Sequence, residues 1–158
     1  MRIWIDGDSV PRDLRQILIR RGRPAGSRTD HDEVIFVATR GLPDVPPDMT
    51  VLVAPGPDAA DLHVEALVGD GDLVVTRDIP FAERIASRGI AVMNDRGEVF
   101  TRENAAERRS LRDAAAELRS LGMAPASPRG SRRGPRDTKS FADSLDRILA
   151  SMKSGKHI

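Results

Sequence analysis

Five short apolar runs constrain this chain more than any other feature: "IWI" at 3–5, "VIFVA" at 34–38, "TVLVA" at 50–54, "LVVT" at 73–76 and "IAVM" at 90–93. Amphipathic segments lie between several of them, and that alternation is the pattern of an α/β fold with a mainly parallel sheet. Pro11 suits a first helical turn, and Leu14, Ile17 and Leu18 give the segment after it an apolar stripe. Asp58 is placed to cap a second helix carrying Leu62, Ala66 and Leu67. A third, "IPFAERIASRG", stops at Gly89, and a longer one is expected to start after Thr101 and end before Gly122.

Beyond that point the composition changes. Residues 1–122 are expected to form one domain, and 123–138, "MAPASPRGSRRGPRDT", read as a flexible basic linker too poor in apolar residues to order itself cheaply. In 139–158, Phe141, Leu145, Ile148, Leu149 and Met152 recur at helical spacing, which predicts a last helix docked on the domain, with a short mobile end. Net charge is only +1, but Ala124 to Ile158 holds eight Lys/Arg against three Asp/Glu, so a basic tail follows a weakly acidic body. A polyanion-binding tail and a solvated one fit that asymmetry equally. There is no cysteine, no apolar run of bilayer-spanning length and no secretory pattern at the first residues, so the expected setting is the cytoplasm, away from membranes.

The first run ends abruptly in "DGD". Asp6 and Asp8 would place charge at the lip of a sheet, where desolvation and mutual repulsion both cost free energy. Other strands repeat this: Asp78 follows "LVVTR", Asp95 follows "IAVMN", and Asp58, Asp61 and Glu65 fall at helical spacing. The carboxyl ends of parallel strands share one edge, where ligands of open α/β sheets bind. Carboxylates gathered there suit Mg²⁺ or Mn²⁺, hard cations that prefer oxygen donors. Each aspartate taken singly also fits a turn or cap role.

Two phosphate chemistries compete. "IWIDGDSV" fits the strand Asp-x-Asp of haloacid-dehalogenase-like phosphatases, with Asp6 as nucleophile. That chemistry wants a lysine near the phosphate, yet Lys139, Lys153 and Lys156 all lie in the tail. The alternative is metal-dependent phosphodiester hydrolysis, in which the carboxylates remain ligands while water attacks. "IDGDSVP" at 5–11, "GPDAAD" at 56–61, "GDLVVTRDIPFA" at 71–82, "NDRGEVFTREN" at 94–104 and "FADSLDRIL" at 141–149 together resemble the YaiI/YqxD family of bacterial proteins, grouped with the PIN-like nuclease fold.

The resemblance implies a PIN-like three-layer α/β/α sandwich with an acidic pocket, and its acids map onto Asp6, Asp61, Asp78 and Asp95, with Asp8 in the same first-strand motif. Asp6, Asp61 and Asp78 become the expected catalytic residues of a nuclease. This chain has Val10 where the family usually has cysteine, and "NDRG" where it has Asn-Pro-Arg-Gly.

Arg77 and Arg96 adjoin proposed ligands and are candidates for contacting a phosphoryl oxygen; Arg12 and Arg15, on the first helix, could guide a phosphate backbone or simply face water. The expected partner is nucleic acid, RNA ahead of DNA. Aromatic residues are only 3%, so binding would rest on the backbone more than on stacked bases. Trp4 alternates into a buried strand and reads as core, and His63, two positions after Asp61 on its helix, points away from it. A non-catalytic binding module with the same acids is the reading from a different class.

Overall fold

The computed structural model describes residues 1–22, 32–123 and 134–155. Strands β1 (Arg2–Asp6), β2 (Glu33–Ala38), β3 (Thr50–Leu52), β4 (Leu73–Val75), β5 (Ala91–Met93) and β6 (Val99–Phe100) form one sheet in the order β3-β2-β1-β4-β5-β6. All neighbours are parallel except β5 and β6. Helices α1 (Arg12–Arg21), α2 (Ala59–Leu67), α3 (Ile79–Ser87), α4 (Arg102–Ser120) and α5 (Pro135–Lys153) complete a three-layer α/β/α sandwich.

Strand alternation sorts the apolar runs between the two outer layers. Ile3, Ile5, Val34, Phe36, Leu73, Val75 and Met93 face one cluster with Leu14 and Leu18 of α1 and Phe141, Leu145, Ile148 and Leu149 of α5. Their neighbours Trp4, Ile35, Val37, Val74 and Val92 point the other way, onto Ala60 and Val64 of α2 and Phe81, Ala82, Ile85 and Ala86 of α3. Each run must therefore be apolar throughout, because both faces of a parallel sheet are covered. Trp4 is core, 4% exposed, and its indole N–H donates to Asp72 at 3.0 Å.

Three expectations need correction. The last helix begins at Pro135 rather than at 139, because proline is compatible with a first turn and Asp137 Oδ2 accepts the Gly134 N–H at 2.8 Å. The rest of the expected linker, 124–133, lies outside the described residues. Asp58 occupies the first position before α2 but in a left-handed conformation, φ 51°, with no side-chain cap bond. The short antiparallel β6 was not legible as a run; it exists because the turn at Asn94–Gly97 folds "VF" back onto β5.

That turn is also where α5 docks. Gly97 has φ 80°, and a Cβ there would lie 2.9 Å from the Ser140 carbonyl oxygen and 3.0 Å from the Ser144 Cβ. Gly97→Ala is expected to lower stability by about 1 to 2 kcal/mol through the left-handed backbone alone. Faster amide exchange confined to α5 and the 94–98 turn would locate the damage; exchange and melting equal to wild type would disprove the tight seat. Among the described residues no helix is long and apolar enough to cross a membrane.

Candidate functional site

The strand order reverses direction at β1: β2 and β3 build out on one side, then β4 returns to the other. In open α/β sheets this switch point leaves a crevice beyond the carboxyl ends of the strands. Asp6 ends β1, Asp78 follows β4, and Asp61 sits in the first turn of α2. The fold brings these three together.

Asp6 is 6% exposed. Its Oδ2 accepts from the Thr76 hydroxyl at 2.9 Å, and its Oδ1 from the Ser9 N–H at 3.2 Å. Thr76 Oγ1 in turn accepts the Asp78 N–H at 3.0 Å, so one buried hydroxyl ties Asp6 to the start of α3. Asp78 is the N-cap of that helix, accepting the Phe81 N–H on Oδ1 at 2.8 Å. A cap uses one carboxylate oxygen and leaves the other.

Asp61 differs from both. It is 8% exposed, and no hydrogen bond or ion pair to it is found among the described residues. Burial, then the charges of Asp6 and Asp78, push its carboxyl up to about 7, against a smaller opposing pull from Arg84. A carboxylic acid this close to neutrality marks negative charge that the protein itself leaves uncompensated.

Asp8 and Asp95 stand apart from this trio. Asp8 turns toward β2, where its Oδ2 accepts from both the N–H and the hydroxyl of Thr39 at 2.8 Å, while Arg40 Nε approaches its Oδ1 at 3.5 Å. Asp95, 8% exposed, pairs with Arg77 Nε at 3.1 Å. Neither is among the charges that act on Asp61.

The arginines divide as well. Arg15 is spent internally: Nε and Nη2 reach Asp44 at 2.9 and 2.7 Å, and Nη1 donates to the carbonyls of Gly7 and Val10. Its hydrogen bonds to Asp44, opposed by burial, hold that carboxyl below its ordinary range. Arg12 is exposed and only 4.0 Å from the same Asp44. Arg96 is exposed on the 94–97 turn. His63 is half-buried, and Glu65 pairs with Arg84 at 3.5 Å. Of the lysines, Lys139 pairs with Asp143 and Lys153 with Asp32 before β2, at the sheet's opposite edge; Lys156 lies outside the described residues.

The glycine of "DGD" has a steric reason. A Cβ on Gly7 would lie 2.7 Å from Leu42 Cδ1 and 3.1 Å from the Val37 carbonyl oxygen, so a larger residue would have to displace Leu42 of the 40s loop at the end of β1. Sequence reasoning missed Thr76, Thr39 and Arg40. A signal was present: "VATR" at 37–40 and "VVTR" at 74–77 end the two strands flanking β1 with the same Thr-Arg pair.

Residues 4–151 match the sequence profile of a family described as "Uncharacterized BCR, YaiI/YqxD family". The chain belongs to the YaiI/YqxD family. Relatives named only "UPF0178 protein" include one from Myxococcus xanthus, 40% identical over 151 residues and 94% of each chain. Another, from Treponema pallidum, is 42% identical over 154 residues, covering 96% of this chain and 83% of its own. A third, from Psychromonas ingrahamii, is 39% identical over 156 residues, 97% and 98% of the two chains. No solved structure matches. Family membership thus rests on nearly the whole chain, and the family carries no assigned reaction.

Proposed function

We propose that this member of the family is a Mg²⁺- or Mn²⁺-dependent nuclease that hydrolyses phosphodiester bonds of RNA or DNA. The observation that carries the reading is Asp61, buried beside Asp6 and Asp78 with its carboxyl raised to about 7. Three carboxylates near enough for the charges of Asp6 and Asp78 to act on Asp61 offer hard-oxygen donors.

As they stand, no three acidic or imidazole side chains among the described residues are close enough to enclose a metal ion. Mg²⁺ does not require such a cage, since it keeps several waters and needs one or two direct carboxylates. Asp6, Asp61 and the uncapping oxygen of Asp78 would hold it. A bound ion of this kind supplies Lewis-acid polarisation of a phosphoryl oxygen and an acidified water.

The chain's own groups have separate tasks. Thr76 and Ser9 fix the Asp6 carboxylate, so it meets a ligand without reorganising. Asp61 holds a proton near neutrality and gives it up when positive charge arrives, which makes cation affinity pH-dependent. Arg77 and Arg96 can neutralise phosphoryl oxygens at the rim.

The test is incubation of labelled RNA and DNA with purified protein plus Mn²⁺ or EDTA. Cleavage with metal, absent with EDTA and reduced at least a hundredfold in Asp61→Asn, is the expected result. Binding without cleavage would instead leave a non-catalytic module, and turnover of a phosphate monoester alone would restore the phosphatase.

A further inference from the structure

The two Thr-Arg strand ends do related jobs. β2 and β4 are the immediate neighbours of β1, one on each side. Thr39 Oγ1 donates to Asp8 and Thr76 Oγ1 donates to Asp6, at 2.8 and 2.9 Å, so each threonine fixes one acid of "DGD". The arginine after each threonine projects outward, Arg40 75% and Arg77 54% exposed. An aspartate lies beside the Nε of each as an ion pair, Asp95 at 3.1 Å from Arg77 and Asp8 at 3.5 Å from Arg40, the latter too long for a hydrogen bond. An aspartate at Nε takes the side edge of the guanidinium and leaves its end edge, with one N–H from each terminal nitrogen, open.

A surface arginine in such an ion pair stays charged, with donors open toward solvent. Two of them flank the recessed acids, on strands roughly 10 Å apart across β1 at two strand spacings. An anionic chain approaching Asp6, Asp61 and Asp78 meets repulsion, and guanidinium groups on both sides offset it.

We infer that Arg40 and Arg77 form a two-sided clamp on the sugar-phosphate backbone of a single-stranded nucleic acid, holding one phosphate over the acid cluster between them. The inference rests on the nuclease reading and adds the substrate's form and the residue that grips its far side. A single strand is favoured because Asp6 and Asp61 are buried, 6% and 8% exposed, while both arginines project into solvent. A flexible strand can dip a phosphate into that recess, whereas a stiff duplex bridges from rim to rim. With aromatic residues at 3%, contacts to the backbone must carry the binding.

Fluorescence anisotropy with a labelled 12-nucleotide oligouridylate, in Ca²⁺ and across a salt series, tests this on the full chain. The expected result is that Arg40→Ala and Arg77→Ala each reduce the slope of log affinity against log salt by about 0.7, one phosphate contact apiece. Arg40→Lys should keep the slope, and all three variants should melt as wild type does, because the side chains are exposed. A wild-type slope in Arg40→Ala, with wild type itself binding, overturns the clamp and leaves the nuclease reading intact. Equal affinity for the same strand paired with oligoadenylate overturns the single-strand assignment. Failure of wild type to bind any nucleic acid, and to cleave it with Mn²⁺, removes the reading beneath both.

Discussion

At pH 8, the metal-free Asp61→Asn protein is expected to be more stable than wild type. The carboxyl rises from 3.8 to about 7 on folding, through burial and the charges of Asp6 and Asp78. Folding therefore favours the protonated acid. Below about pH 3 both folded and unfolded chains hold that proton, and Asp61 costs nothing. As pH climbs, the unfolded chain releases its proton first, and wild-type stability falls until the folded acid also ionises near pH 7. At about 1.4 kcal/mol per pH unit, the rise from 3.8 to about 7 amounts to roughly 4 kcal/mol at most above neutrality. Asparagine mimics the neutral acid in shape and cannot ionise, so it escapes the penalty.

Chemical denaturation of both proteins at pH 4, 6 and 8, all with EDTA, measures the difference. It should be smallest at pH 4 and largest at pH 8. A variant less stable than wild type at pH 8 would show that Asp61 is satisfied by an interaction that outweighs its burial, and the uncompensated cluster would fall with it. Divalent metal should act in the opposite sense on wild type, with apparent Mn²⁺ affinity falling up to tenfold per pH unit below 7 as protons compete for Asp61.

The layered fold was legible because the runs of the inner strands β1, β2, β4 and β5 are apolar on both faces, while the edge run that forms β3 leaves Leu52 exposed. Boundaries were less so. Pro135 and Arg136 sit in a stretch whose composition signals a break, yet proline is compatible with a first turn and Asp137 anchors it. β6 is only two residues long and depends on the turn before it, which no local pattern announces.

Within the site, a shared sheet edge could be read from strand ends, but the direction of each side chain could not. Asp6 and Asp8 are both at the lip, and their two-residue spacing does not reveal that Thr39 draws Asp8 toward β2 while Thr76 holds Asp6. Arg15 shows the same limit. Its place on the first helix suggested a phosphate guide, but the conformation of the 40s loop, which brings Asp44 against it, is a tertiary fact.

Asp78 joins the two descriptions that sequence left open, a cap and a ligand, because it can be both. Its Oδ1 caps α3 through the Phe81 N–H, while its charge acts on Asp61. Two substitutions separate those roles. Asparagine caps helices about as well as aspartate but carries no charge, whereas alanine loses both functions. In EDTA at pH 8, Asp78→Asn should therefore equal or exceed wild-type stability, since removing the charge relieves Asp61. Asp78→Ala should be less stable than Asp78→Asn by about 0.5 to 2 kcal/mol, the worth of a cap. With Mn²⁺ about a hundredfold above its dissociation constant, wild type should gain about 2.7 kcal/mol, and both variants should lose most of that gain. Thermal melts across a Mn²⁺ titration read all three proteins. If wild type gains nothing from metal and both variants melt lower by the same amount, Asp78 is a cap whose charge matters to nothing, and the proposed cation has lost one of its three ligands.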